Sequence, residues 1–171
     1  MPFDVMDFVD RVEKKSPGLS RHLGVTYLNW FSPFNKHLKA KLLEWNNTKT
    51  RFRIQCHRGV RNHLGGIHAG AIFTLGETCA GFVLIKNFSL KKFRPIMSDV
   101  NVKYEKQARG TTFGTAEIKK AEVARINKEL KSSKPSFVWL KTKIENDKNE
   151  LIATVNTKWQ LKPWDKIKIK K

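Results

Sequence analysis

Asn62-His63-Leu64-Gly65-Gly66-Ile67-His68-Ala69-Gly70 runs without a break into the apolar segment Ala71–Ile85, which carries one carboxylate, Glu77, near its middle. A helix that is apolar nearly all round belongs in a core, where an ionised Glu is costly unless something uses it. The segment also contains Gly76 and Gly81, each about 1 kcal/mol worse for a helix than Ala. Glycines retained against that penalty point to another backbone or a ligand at very close range. An acid buried beside a Gly-rich helix entrance reads as a site.

Upstream, His37–Trp45 and Lys49–His57 read as strands flanking Asn46-Asn47-Thr48, a hairpin signal. In the second strand Phe52, Ile54 and Cys56 face one way, and Arg51, Arg53 and Gln55 the other. Phe3, Met6, Phe8, Val9 and Val12 give residues 3–15 a helical pattern that stops before Pro17-Gly18. Gly24–Phe34 reads as irregular chain or a second short helix.

Downstream, the apolar helix is expected over residues 69–86. Ile96–Lys106 then alternates Val100, Val102 and Tyr104 against Asp99, Asn101 and Lys103. Ala108-Arg109-Gly110 turns into a strand at Thr111–Lys120, followed by a short helix at Glu122–Leu130. Ser136–Glu145 and Leu151–Leu161 form a second hairpin around Asn146-Asp147-Lys148-Asn149. The pattern predicts an α+β fold: a six-stranded antiparallel sheet wrapped around a long central helix, with an N-terminal helix. Residues 1–17 form that first helix, 18–162 one domain, and 163–171 a basic tail.

A chain of 171 residues is the size of one domain. With 40% hydrophobic and 29% charged residues, its composition argues against disorder. The net charge of +19, from 34 Lys and Arg against 15 Asp and Glu, favours nucleic acid, an anionic membrane or a small phosphorylated ligand. Its plainer meaning is solubility. Charge is densest at Lys162, Lys166, Lys168, Lys170 and Lys171. No recognition helix, zinc module or aromatic-basic motif stands out, so no specific nucleic-acid partner is expected.

Cys56 and Cys79 lack zinc or redox spacing and read as small core residues of a reducing compartment, with Cys56 open to exposure. The acidic N-terminus carries no signal-peptide pattern. Ile67–Ile85 approaches membrane-span length but holds His68, Glu77 and several glycines. The expectation is a cytoplasmic protein with no transmembrane segment and no metal site.

The element order, together with Asn62-x5-His68-Ala69-Gly70-x6-Glu77, resembles the hotdog-fold acyl-CoA thioesterases, most closely the phenylacetic-acid-type branch and its uncharacterised relatives. Asp99-Val100-Asn101-Val102-Lys103-Tyr104 resembles that branch's strand after the helix. Glu122–Asn127 and Thr157-Lys158-Trp159-Gln160 resemble its later elements, so the likeness spans residues 18–162.

Thioester hydrolysis needs an activated water or a carboxylate nucleophile, and donors aimed at the developing oxyanion. A helix N-terminus supplies free N–H groups and a positive dipole end, and Ala69 and Gly70 lie at this one. The resemblance puts the oxyanion-binding N–H on Ala69, where many relatives have Gly, and makes Glu77 the general base or nucleophile, where they commonly have Asp. It gives Asn62 the positioning of water or thioester, and matches His68 to the motif's His, either a catalytic residue or one that orients the loop. A Ser or Thr that assists the water in some relatives falls here on Met97, with Ser98 one residue off unless a bulge re-aims it.

His68 and Glu77 are nine residues apart, about 13 Å along a helix and on opposite sides of it. If both act, the site joins the Asn62–Gly70 loop of one subunit to Glu77 of another, in a homodimer or a dimer of dimers. The substrate would be acyl-CoA or another acyl thioester, with coenzyme A part of the substrate and no further cofactor. Lys106 and Arg109 would meet its phosphates; Phe73 and Phe82 would line the acyl group.

Each residue also has a purely structural reading. Glu77 would be a buried carboxylate bonded to Asn, Thr or backbone, Asn62 a turn residue bonding its own backbone, and Phe73 and Phe82 core. Functionally, a thioesterase stands beside a hotdog protein that binds acyl-CoA or a fatty acyl chain without turnover. A charge-driven nucleic-acid or membrane-surface binder is the third class.

Overall fold

The computed structural model describes residues 5–132 and 134–167. Helix α1 (Val5–Glu13) is followed at once by α2 (Pro17–Phe31). Pro17-Gly18, which reads in the sequence as a stop, is a start. Ser16 accepts the Leu19 N–H on its hydroxyl at 3.4 Å, and Pro17 takes the first helical position, where no N–H is needed. Gly24–Phe31 is therefore regular helix, and α2 is longer than the short helix considered. Phe3 lies outside the described residues.

A 3-10 helix, Pro33–Leu38, comes next and ends at Lys39 in the left-handed region, φ 47°. Strand β1 (Lys41–Trp45) thus begins four residues later than expected. The alternation of Leu38, Ala40 and Leu42 imitates a strand, but the backbone reverses at Lys39. Strand β2 (Lys49–Gln55) follows, then α3 (Ala69–Asn87), β3 (Phe93–Tyr104) and β4 (Thr111–Glu117). Helix α4 (Lys120–Lys131) starts where the fourth strand was expected to end. Strands β5 (Ser136–Asn146) and β6 (Leu151–Pro163) close the sheet. Lys162 therefore belongs to the sheet and Lys166 to a 3-10 turn, while Lys168, Lys170 and Lys171 lie outside the described residues.

The six strands pair antiparallel in the order β1-β2-β4-β5-β6-β3, so the strand after the helix returns to the far edge. Helix α3 lies against the inner face, burying Leu75, Cys79, Ala80, Val83 and Leu84. It is long and apolar enough to cross a membrane, but here it is the helix the sheet wraps. The Thr142 hydroxyl donates to the Gly76 carbonyl at 2.9 Å, fastening helix to sheet. Lys86 pairs with Glu13 and lies 4.7 Å over the Trp45 ring, joining α1, α3 and β1.

Gly76 shows why the helix tolerates glycine. A Cβ there would stand 2.5 Å from Val155 Cγ2 and 2.6 Å from its Cβ, so the two elements would have to separate. Gly76→Ala gains about 1 kcal/mol of helix propensity but incurs overpacking of about 1–3 kcal/mol. Chemical denaturation should show net destabilisation of up to about 2 kcal/mol. Combining it with Val155→Ala should cost less than the sum of the single changes.

The two sheet edges differ. Strand β1 has five residues and an irregular register, whereas β3 has twelve and leaves its outer side unpaired. Strand β3 bulges between Met97 and Asp99: Met97 pairs with Trp159 and Asp99 with Lys158, leaving Ser98 as the extra residue. Past the bulge Val100, Val102 and Tyr104 pair with Thr157, Val155 and Ala153, the residues that face the helix. Yet Val100 and Tyr104 remain exposed. A long edge strand with uncovered apolar residues on its inner face is an opening for another chain.

Candidate active site

The loop from Asn62 to Gly66 is a closed turn. Asn62 donates its N–H to the Gly66 carbonyl at 2.7 Å, and its Oδ1 accepts the N–H groups of Leu64 and Gly66, both at 3.0 Å. Its Nδ2 has no partner among the described residues. The turn lies on the segment after β3: Ile67 N–H donates to the Ala108 carbonyl at 2.8 Å. A Cβ on Gly66 would meet the Gln107 side chain at 2.8 Å and that same carbonyl at 2.9 Å, so only glycine fits.

His68 caps α3. Its Nδ1 accepts the Gly70 N–H at 3.0 Å, which in a neutral imidazole puts the proton on Nε2. Its carbonyl accepts from Ala71 at 2.9 Å and Ile72 at 3.1 Å. With Gly70 and Ala71 thus engaged, Ala69 keeps an N–H with no partner among the described residues. That N–H sits at the positive end of a 19-residue helix. The Tyr104 hydroxyl donates to the Ala69 carbonyl at 3.0 Å, a contact absent from the sequence reading. Its only sequence signal was the parity that sends Val100, Val102 and Tyr104 to one face.

Glu77 lies two turns further on, about 12 Å along the axis from Ala69. It belongs to a partly buried stripe at every fourth residue, with Phe73, Gly81 and Ile85. Burial pushes its carboxyl above the ordinary value of 4.5, and it makes no hydrogen bond or ion pair among the described residues. Burial, with a smaller push from the Glu77 charge, likewise raises the Cys79 thiol to about 12. That thiol is inert. Cys56 is half-buried, with Sγ 3.6 Å from the Gly65 carbonyl.

The sign of the Glu77 shift sets a stability trend. A carboxyl raised in the folded state contributes stability below its unfolded pKa and loses it as pH rises through the folded value. Folded wild type should therefore lose ground to Glu77→Gln as pH rises above about 4.5, and the variant should melt higher at pH 7. Melting curves of both across that range check it.

The bulge is present at Ser98, but the Ser98 hydroxyl donates to the Lys158 carbonyl at 3.3 Å. Met97 pairs with Trp159, whose ring meets the Gly81 face of α3. Phe82 is core: it stands edge-on to Phe52 at 4.9 Å and tilted to Trp45 at 5.2 Å, and its carbonyl accepts the Trp45 indole N–H. Phe73 is only partly buried on the Glu77 stripe. Lys106 pairs with Glu150 at 2.8 Å, and Arg109 donates to Gln107 at 3.0 Å; both are exposed.

A cavity of about 480 Å³ opens beside the helix entrance, lined by Phe34, Arg61, His68, Gly70, Ala71 and Thr74 among others. Neither Phe73, Phe82 nor Glu77 lines it. One chain thus joins Asn62, His68, Ala69 and Gly70 and leaves Glu77 apart from them. No group of three His, Cys, Asp or Glu side chains suited to a metal occurs among the described residues.

A six-stranded antiparallel sheet wrapped on one long helix, with a capped entrance after a Gly-rich turn, is the hotdog fold, and solved structures share it. A protein of unknown function from Pseudomonas aeruginosa, described as a probable thioesterase, superposes with a TM-score of 0.76 at 22% identity over 86% of this chain and 96% of its own. A mutant thioesterase from Staphylococcus aureus gives 0.64 at 22% identity, over 77% and 100%. A thioesterase from Haemophilus influenzae gives 0.61 at 11% identity, over 76% and 82%. Residues 22–161 match the family model DUF4442, a domain of unknown function, and the chain belongs to that family. No curated protein matches it.

Proposed function

We propose that the protein hydrolyses an acyl-CoA thioester to free acid and CoA, at a site shared between two subunits. The observation that carries this is Glu77, a partly buried carboxylate without a partner among the described residues, on the helix whose entrance leaves the Ala69 N–H free. The thioesterases among the structural neighbours support the thioester hydrolysis in this reading.

In this mechanism Glu77 takes a proton from water as the oxygen attacks the thioester carbon. Ala69 N–H receives the developing oxyanion. As the tetrahedral intermediate collapses, the C–S bond breaks and the thiolate takes up the proton. Asn62, with Nδ2 unengaged, orients the thioester, and His68 holds the Gly70 N–H so that Ala69 projects alone.

A separation of about 12 Å keeps Ala69 and Glu77 of one chain from meeting on one carbonyl. The twelve-residue free edge of β3 gives a second copy a place to pair and bring its own Glu77 to this entrance. Lys106 and Arg109 would meet the phosphates of CoA. The exposed Lys106–Glu150 pair is weak enough to yield to them.

Free-thiol release from short, medium, long and aromatic acyl-CoAs tests the reading. Wild type should turn over part of the panel. A folded wild type that binds acyl-CoA and releases no thiol would favour the non-catalytic binder. Met97 in the Ser/Thr position and the Ser98 hydroxyl engaged by Lys158 are the observations on that side.

A further inference from the structure

The tip of α2 and the 3-10 turn after it present Trp30, Phe31 and Phe34 at 76%, 66% and 72% exposure. Isolated exposed apolar residues are ordinary, but three large aromatics within five positions form a patch of the kind that marks an interaction surface. Phe31 stacks on Tyr27 at 5.6 Å and Trp30 tilts against it at 6.5 Å, so the tip is ordered by its own rings. Trp is also the side chain best suited to the boundary between water and acyl chains.

Beside the tip runs a belt of one charge sign. Three adjoining cavities, sharing Lys39, His37, His57 and Gly59 at their borders, are lined by Lys36, Lys39, Lys41, Arg53, Arg58 and Arg61. No carboxylate lines any of them among the described residues. None of these six cations forms an ion pair there either. Six unneutralised cations in one belt call for anions.

We infer that this face docks on the surface of an anionic phospholipid bilayer, with Trp30, Phe31 and Phe34 entering the headgroup boundary and the belt of Lys and Arg meeting lipid phosphates. Aromatic insertion beside unpaired Lys and Arg is the pattern of an interfacial anchor. Two of the belt's cations, Lys41 and Arg53, stand at one end of the sheet's outward side; the rest of that side is less suited, because Lys141, Lys143 and Lys158 are interspersed there with Glu44, Glu117 and Glu145. The docked face includes Phe34 and Arg61, which line the cavity at the α3 entrance, so bound lipid and helix entrance share one side. This proposal stands whether or not the protein hydrolyses thioesters.

Vesicle flotation with full-length protein decides it. Vesicles of phosphatidylcholine containing about one third phosphatidylglycerol should carry the protein, and pure phosphatidylcholine should carry about tenfold less or none. Trp30→Ser with Phe34→Ser should weaken binding about tenfold or more at constant charge. Lys36→Gln, Lys41→Gln and Arg58→Gln together should weaken it similarly, on anionic vesicles alone. Both sets alter exposed residues and should keep the wild-type melting temperature.

Three results overturn the proposal. Undiminished binding by the aromatic variant, abolished by salt, would mean diffuse attraction to the +19 chain. Conversion of a dimer to a monomer by that variant in sedimentation would mean that a second copy covers the tip. Binding of a single-stranded oligonucleotide that falls with the aromatic pair, while vesicles stay unbound, would assign the face to nucleic acid.

Discussion

Ala69→Pro is expected to lower acyl-CoA turnover about 10²–10³-fold in a protein that still folds, the usual loss when one oxyanion donor is removed. Ala69 is the first residue of α3, and its N–H makes no helical bond. Proline is favoured at that position because the missing N–H costs the helix nothing there. The preceding residue must be extended, and His68 already is, at φ −63° and ψ 141°. The substitution therefore deletes the proposed donor and leaves its surroundings nearly unchanged. Ala69→Gly, which keeps the N–H, should remain active. Wild-type rates from a folded Pro variant would remove Ala69 from the mechanism.

Glu77→Gln should cost about 10²–10⁴ in turnover, the range for a lost general base. Its signature lies in the pH profile. Burial raises the Glu77 carboxyl, so wild-type activity should fall with acid at a pH above the ordinary carboxylate range, as the base takes up a proton. The Gln variant should keep only a residual rate without that limb. Since the same change should stabilise the protein at pH 7, lost activity here cannot be put down to lost folding. Retained activity with the acid limb intact would make Glu77 a structural carboxylate.

Much of the fold was legible because period-two strands and turn residues are local signals. Strand β2 alternates Thr50, Phe52 and Ile54 inward against Arg51 and Arg53, and β6 repeats the pattern from Ala153 to Leu161. The failures were at punctuation. Pro17 begins a helix rather than ending one, and Lys39, an ordinary residue in the left-handed region, stops a strand-like run that composition alone cannot distinguish. The sheet order was beyond local reading, since β3 crosses to pair with β6 nearly sixty residues on.

The candidate site divides the same way. Its helix entrance and lone acid are sequence-local, and both stood out. The turn-residue reading of Asn62 matches the local N–H groups its Oδ1 accepts, whereas what Gly70 and Tyr104 bond to depends on side-chain direction and on a strand arriving from elsewhere. Phe82 shows the opposite hazard. On a helix buried nearly all round, an aromatic facing the core and one facing a ligand look alike in sequence, and Trp45 and Phe52 enclose this one.

Mixing the two inactive variants tests the shared site most directly. Ala69→Pro chains carrying one tag and Glu77→Gln chains carrying another are co-refolded, and thiol release is measured on the mixture and on the doubly purified hybrid. If each site joins the turn of one subunit to Glu77 of its partner, every hybrid dimer contains one site with both defects and one intact site. The hybrid should then recover about half of wild-type activity, and a statistical mixture about one quarter. A hybrid no more active than its parents would place both groups of each site within one chain and contradict the account.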